Sequence, residues 1–174
     1  SKVLAYFINI VPSVRGFVGR DDANKRIVLG FSGTTDPVGA LEDLDIIQQA
    51  WPTDVPGSKV HQGFLVSYQS AIGQFLPPLE KAMAGECKGY QLSVVGHSLG
   101  GAQAMIAAVD LKRRHPDWNI NVFPSGKPRV GNEAWARYVN GLGMPIHRLI
   151  AKWDQVPRIP LRSWGYVHET GEVW

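Results

Sequence analysis

The chain has 174 residues, a single cysteine, 44% apolar residues and 19% charged residues. That length suits one domain with its own core, and the composition excludes a disordered chain. A net charge of +3, with Lys112-Arg113-Arg114-His115 as the only basic run, speaks against a nucleic-acid surface, and Cys87 alone leaves no intrachain disulfide.

The chain opens on "KVLAYFINI", which alternates like a strand already under way and suggests a mature or trimmed product. No signal peptide is visible, and no apolar run is long enough to span a membrane. "RGFVGRDDANKRIVLGF" reads as two strands around the turn Asp21-Asp22-Ala23-Asn24, an antiparallel hairpin. The next stretch changes character. Asp36 can cap a helix with Pro37 at its first position, and Leu41, Leu44, Ile47 and Trp51 fall near one face. "GFLVSYQSAIGQFLPPLEKAMAG" is helical, but Pro77-Pro78 should kink or split it.

Further on, "YQLSVVG" is a short apolar strand and "GGAQAMIAAVDLKRR" an Ala-rich helix stopped by Pro116. The basic end of that helix complements its dipole. "NINVFPSG" is a strand, "NEAWARYVNGLG" a helix ending at glycine, and "IHRLIAK" another strand. The tail "WDQVPRIPLRSWGYVHETGEVW" reads as loop with a final turn. Helix and strand alternate from residue 60 onward. This predicts one α/β domain, mostly a parallel sheet with an antiparallel N-terminal hairpin and helices on both faces.

The chemistry starts at Gly96-His97-Ser98-Leu99-Gly100, which fits G-x-S-x-G. The bare pattern is weak in a chain with 19 glycines. Its context is informative, because a strand leads in and a helix of small residues leads out. A serine at such a tip is exposed to a substrate, with the Leu99 amide and the helix N-terminus aimed at an oxyanion. The bland alternative is an ordinary glycine-rich turn. A serine nucleophile also needs a base and an orienting acid, in the order serine, acid, histidine.

Three histidines follow Ser98. His115 lies at a helix end, where capping is the simpler role. His147 lies within a strand, where packing is simpler. His168 lies in the glycine-flanked loop "GYVHETG". Among the acids, Asp110 turns away on the helix leaving Ser98, and Asp117 sits in the turn after it. Asp154 follows a strand at its C-terminal end, where sites of open α/β sheets gather. Asp154 and His168 form the consistent pair, with Glu169 and Glu133 as weaker rivals. In "GFSGTTD", Thr34 offers an amide and a hydroxyl as a second oxyanion donor, although a plain hairpin exit would look the same.

"VLGFSGT", "VHQGF", "SVVGHSLGGAQA", "GKPRVGN", "WDQVPRIP" and "GYVHETGEVW" follow one another in an order that resembles the fungal class 3 lipases. These are α/β-hydrolases that also include type A feruloyl esterases. The resemblance implies a triad of Ser98, Asp154 and His168, with Thr34 and Leu99 forming the oxyanion hole. It implies a lid over about residues 35–50 and a structural role for His61. The apolar stripe of Leu41, Leu44 and Ile47 would then be the lid face that meets substrate, although a plain surface helix packed on the core would show the same stripe. The resemblance also implies a secreted enzyme acting on esters or lipids through transient contact with a lipid interface. The residues themselves call for no cofactor and no metal, since the five histidines are scattered and no pair has ligand spacing.

Three departures stand out. Ser32 replaces the usual arginine before the oxyanion glycine, so a steadying salt bridge is expected to be lost. Lys127 stands where glutamine is common. The family's N-terminal helix and C-terminal extension are missing, so an apolar face is expected to be bare and to promote self-association or recruit a second polypeptide. The reading is a serine carboxylic ester hydrolase, first a triacylglycerol lipase. A feruloyl esterase and a catalytically inactive lipid- or partner-binding fold are the alternatives.

Overall fold

The computed structural model describes residues 1–10, 13–33 and 46–173. Three strands open the chain: β1 (Lys2–Asn9), β2 (Val14–Asp21) and β3 (Arg26–Phe31). They pair antiparallel, with Tyr6 opposite Phe17 and Phe17 opposite Gly30. The predicted hairpin turn is closed by Lys25 N–H donating to the Asp22 carbonyl at 3.3 Å, with Lys25 at φ 48°. Alternation places Phe7 inward, where its ring lies 5.2 Å from Phe31 and 5.1 Å from Phe75.

From β3 the sheet becomes parallel. It adds β6 (Gln91–His97), β7 (Ile120–Ser125), β8 (Arg148–Leu149) and β9 (Glu172–Val173), in the order β1-β2-β3-β6-β7-β8-β9. β4 (Gln48–Ala50) and β5 (Lys59–His61) form a separate antiparallel pair. This arrangement, with its helices, is the predicted mostly parallel α/β sheet with an antiparallel start.

Helix α1 (Gln62–Ala84) begins where His61 Nδ1 accepts from Phe64 N–H at 3.4 Å. It runs through Pro77 and Pro78 as one helix, so the proline pair does not split it. A proline inside a helix costs about 3 kcal/mol, whereas each fully buried large side chain contributes about 1.5–3 kcal/mol. Phe75, Leu79 and Met83 continue the buried stripe across the prolines and offset that cost. Helix α2 (Leu99–Arg114) packs against β3, β6, β7 and α1, with every residue from Gly100 to Val109 buried. Its alanines let those layers approach closely. Helix α3 (Glu133–Gly141) starts at Asn132, whose side chain accepts from Trp135 N–H at 3.0 Å. Its buried Trp135 meets Trp51 at 5.4 Å.

Two expectations need correction. Residues 48–50 are strand and Trp51 packs on Trp135, so no helix extends from Asp36 to Trp51. "IHRLIAK" contributes only two strand residues, and the tail beyond it holds two short 3-10 turns, Val156–Arg158 and Arg162–Trp164.

Candidate active site

The strand β6 ends at His97 and α2 begins at Leu99, which leaves Ser98 alone at the junction. Its backbone sits at φ 54°, ψ −125°, a conformation that costs a non-glycine residue of the order of 1–3 kcal/mol. The turn is tight enough that a Cβ on Gly96 would overlap the Gly100 carbonyl oxygen. Ser98 N–H donates to the Ser125 carbonyl at 2.9 Å, which ties the tip to the end of β7. Ser98 is buried, and its Oγ has no hydrogen-bond partner among the described residues. Leu99 opens α2, so its N–H belongs to the first turn, which has no acceptor within the helix.

The loop leaving β3 runs beside this tip. A Cβ on Gly33 would lie 2.6 Å from the His97 carbonyl oxygen and 3.4 Å from Ser98 Cβ. Ser32 is held from β2: Arg15 Nε donates to Ser32 Oγ at 3.1 Å, and Ser32 N–H donates to the Arg15 carbonyl at 2.9 Å. An arginine from the neighbouring strand therefore reaches the position that carries no arginine of its own. Thr34, Leu41 and Leu44 lie outside the described residues. Ile47 is exposed, and the Tyr166 hydroxyl donates to the carbonyl of Ile46 beside it at 3.1 Å.

Asp154 and His168 lie beyond β8 and before β9, and both line a cavity of about 160 Å³. Asp154 Oδ1 accepts from Val156 N–H at 2.9 Å, which fixes the carboxylate at the start of a 3-10 turn. The His168 ring bonds neither Asp154 nor Ser98. Its Nε2 donates to the Pro157 carbonyl at 2.8 Å, and its Nδ1 lies 3.2 Å from Lys127 Nζ. Burial first, then the neighbouring Lys127 and Arg148 cations, push the His168 pKa down from 6.5 to about 2.

The rivals have other engagements. Asp110 Oδ2 accepts from the Tyr68 hydroxyl at 2.6 Å and from Arg114 Nε at 2.7 Å. Asp117 and Glu133 are exposed. Glu169 is buried, and its Oε1 lies 2.8 Å from Lys127 Nζ, so it serves as partner to a cation. His115 stacks on Trp118 at 3.9 Å, contacts Glu80 at 2.9 Å, and lines a separate cavity of about 580 Å³. His147 is stacked on Phe123 at 4.9 Å.

The sequence reading noted Lys127 only as a departure. Its complete burial beside His168 was missed, because a lysine between glycine and proline in a loop reads as a surface residue.

Comparison with known proteins decides the family. The model of the lipase (class 3) family matches residues 28–164. The chain belongs to the class 3 lipases. A lipase of Rhizopus niveus is 37% identical across 99% of this chain, and one of Rhizomucor miehei is 33% identical across 99%. A secreted mono- and diacylglycerol lipase A of Penicillium camembertii is 33% identical across 94%. The chain covers 44%, 48% and 52% of those three proteins, about half their length.

Among solved structures, the lipase of Rhizopus microsporus var. chinensis superposes with a TM-score of 0.95 at 37% identity, over 99% of this chain and 61% of that one. A triacylglycerol lipase described as having a serine protease triad at its catalytic centre superposes at 0.94, with 32% identity, over 99% and 66%. The α/β-hydrolase fold expected from the sequence is thereby shown for this class 3 lipase chain.

Proposed function

We propose that the chain carries the catalytic centre of a serine carboxylic ester hydrolase, acting on triacylglycerols at a lipid interface. The observation that carries this reading is Ser98, held at φ 54° between β6 and α2 with no hydrogen-bond partner for its hydroxyl among the described residues. Asp154 and His168 stand together in loops of the same sheet. Ser98 attacks the ester carbonyl. His168 takes the serine proton and passes it to the leaving alcohol. Asp154 holds the Nδ1–H tautomer and stabilises the imidazolium. The amides of Leu99 and Thr34 receive the oxyanion, and water then releases the acid.

For this chemistry the His168 ring turns from Pro157 and Lys127 toward Asp154 and Ser98. Leu41, Leu44 and Ile47 are proposed as the apolar face of a lid, exposed to lipid when open. Secretion is part of the same reading, since relatives in Penicillium and Gibberella are named as secreted lipases. A tendency to self-associate, or to take a second polypeptide, is supported by exposed Tyr6, Ile8, Ile10 and Phe17 on the β1–β2 side.

The test is labelling with an organophosphonate ester, followed by hydrolysis rates from acetate to oleate esters and methyl ferulate. Covalent label on Ser98 and a rate jump at the tributyrin solubility limit are expected. No label would refute the nucleophile. Smooth saturation with strong methyl ferulate cleavage would replace the lipase reading with a feruloyl esterase.

A further inference from the structure

Lys127 is fully buried, a costly place for an ammonium group, and it lies directly behind the candidate site. Its backbone follows Gly126, whose N–H donates to the Leu149 carbonyl at 2.9 Å, so the residue is anchored between β7 and β8. Its Cβ packs under the first turn of α2, 2.8 Å from where a Cβ on Gly101 would stand. The amino group has three near neighbours: Glu169 Oε1 at 2.8 Å, His168 Nδ1 at 3.2 Å and the Pro128 carbonyl at 3.3 Å. Glu169 is itself buried and also lies 3.9 Å from Arg148 Nε.

We propose that Lys127, anchored by Glu169, is a positioning residue that selects the partner and tautomer of His168. An ammonium has only donors, so the Nδ1 it meets must be a bare acceptor and the proton of the neutral ring must sit on Nε2. That proton is the one given to the Pro157 carbonyl. Pairing with Asp154 requires the opposite, a proton on Nδ1 and a lone pair on Nε2. The two seats exclude one another. Passage between them moves one proton off Nε2 and one onto Nδ1, with no net change in charge. The Lys127–Glu169 pair holds the ring in the first seat, and the reaction draws it into the second. This role rests on the proposed function, in which His168 is the base.

The charged groups around the ring come from every element packed on it. Lys127 and Arg129 lie after β7, Arg148 on β8, and Glu169 next along the chain. Asp154, Lys152, Arg158 and Glu172 share its cavity. Of these, only Lys127 makes a side-chain contact with Nδ1.

The test uses the double substitution Lys127→Gln with Glu169→Gln, which removes both buried charges together and leaves neither alone. Imidazole ¹⁵N NMR reads the tautomer of His168 in the resting protein. The wild type is expected as Nε2–H and the double variant as Nδ1–H. The acid limb of kcat/KM should move up by about one pH unit or more, because a cation beside the ring is gone, while KM is unchanged. A wild type already in the Nδ1–H form overturns the proposal, even if the variant fails to fold. So does a folded variant whose tautomer or acid limb stays in place. Phosphonate labelling of wild-type Ser98 keeps the two readings apart. Its absence sinks the hydrolase reading, while the tautomer still decides the role of Lys127.

Discussion

Ser98 and His168 serve one proposed reaction but are held in contrasting ways. The serine is fixed by its own backbone: a left-handed φ, a glycine two residues before it, and a strand and helix that leave no other path. The histidine is held by what surrounds it. Its loop is short of regular structure, and its two nitrogens are claimed by Pro157 and Lys127. Steric placement survives a change of pH or of neighbouring charge. Electrostatic placement responds to both. The proposed nucleophile is therefore built as a fixed point and the proposed base as a movable one.

Removing the fixed point should have the largest effect. Ser98→Ala should lower kcat by about 10⁶ with little loss of stability, since alanine is small enough for the turn. A steady-state assay and a thermal melt on the same sample check both halves. Asp154→Asn attacks the movable side by favouring the wrong tautomer, and about 10⁴ in kcat is expected. His147→Ala serves as control; a loss as large as that of His168→Ala would reassign the base.

Gly33→Ala tests how closely the oxyanion loop must approach the tip, because its Cβ would meet the His97 carbonyl at 2.6 Å. Displacement of the loop should cost roughly 10²–10³ in kcat with KM unchanged, and an unaltered kcat would remove this loop from the site.

The contrast also predicts a stability profile. The folded chain keeps His168 neutral down to about 2, while the unfolded ring takes a proton below 6.5. The unfolded state then binds more protons, so the contribution is intact above pH 6.5 and is lost as pH falls below it, by up to about 1.4 kcal/mol per pH unit. Urea midpoints at pH 7.5, 6 and 5 measure it, and His168→Gln should flatten part of the slope. The smallest effect is expected from Arg15→Ala, which loses one exposed hydrogen bond to Ser32, worth about 0.5–1.5 kcal/mol. A larger loss of kcat than of stability would show that Arg15 steadies the oxyanion loop.

Features set by near neighbours were legible in the sequence. The β2–β3 hairpin and the strand–serine–helix junction are both decided within a few residues, and both were found. Position along the chain then picked Asp154 and His168 from their rivals, and the family's ordered motifs pointed to the same pair. Features decided at long range were not legible. Pro77-Pro78 reads as a break because propensity is local, yet Phe75 and Leu79 are buried against elements distant in the chain. Lys127 and Glu169 are 42 positions apart in number, and only the folded sheet makes them a buried pair (169 − 127). Glu169 was weighed as an acid for His168 because its neighbourhood was visible and its partner was not.

The strand order carries a consequence for how such a chain is made. Strands of the main sheet are added along one direction in the order of the sequence, from β1 to β9. A chain emerging from the ribosome can therefore pair each new strand with the one already laid down. The serine junction lies in the middle of that series, and His168 follows β8, just before β9. Most of the sheet can thus form while the proposed base is still absent. During synthesis, the proposed nucleophile is thus laid into the sheet before the proposed base can reach it.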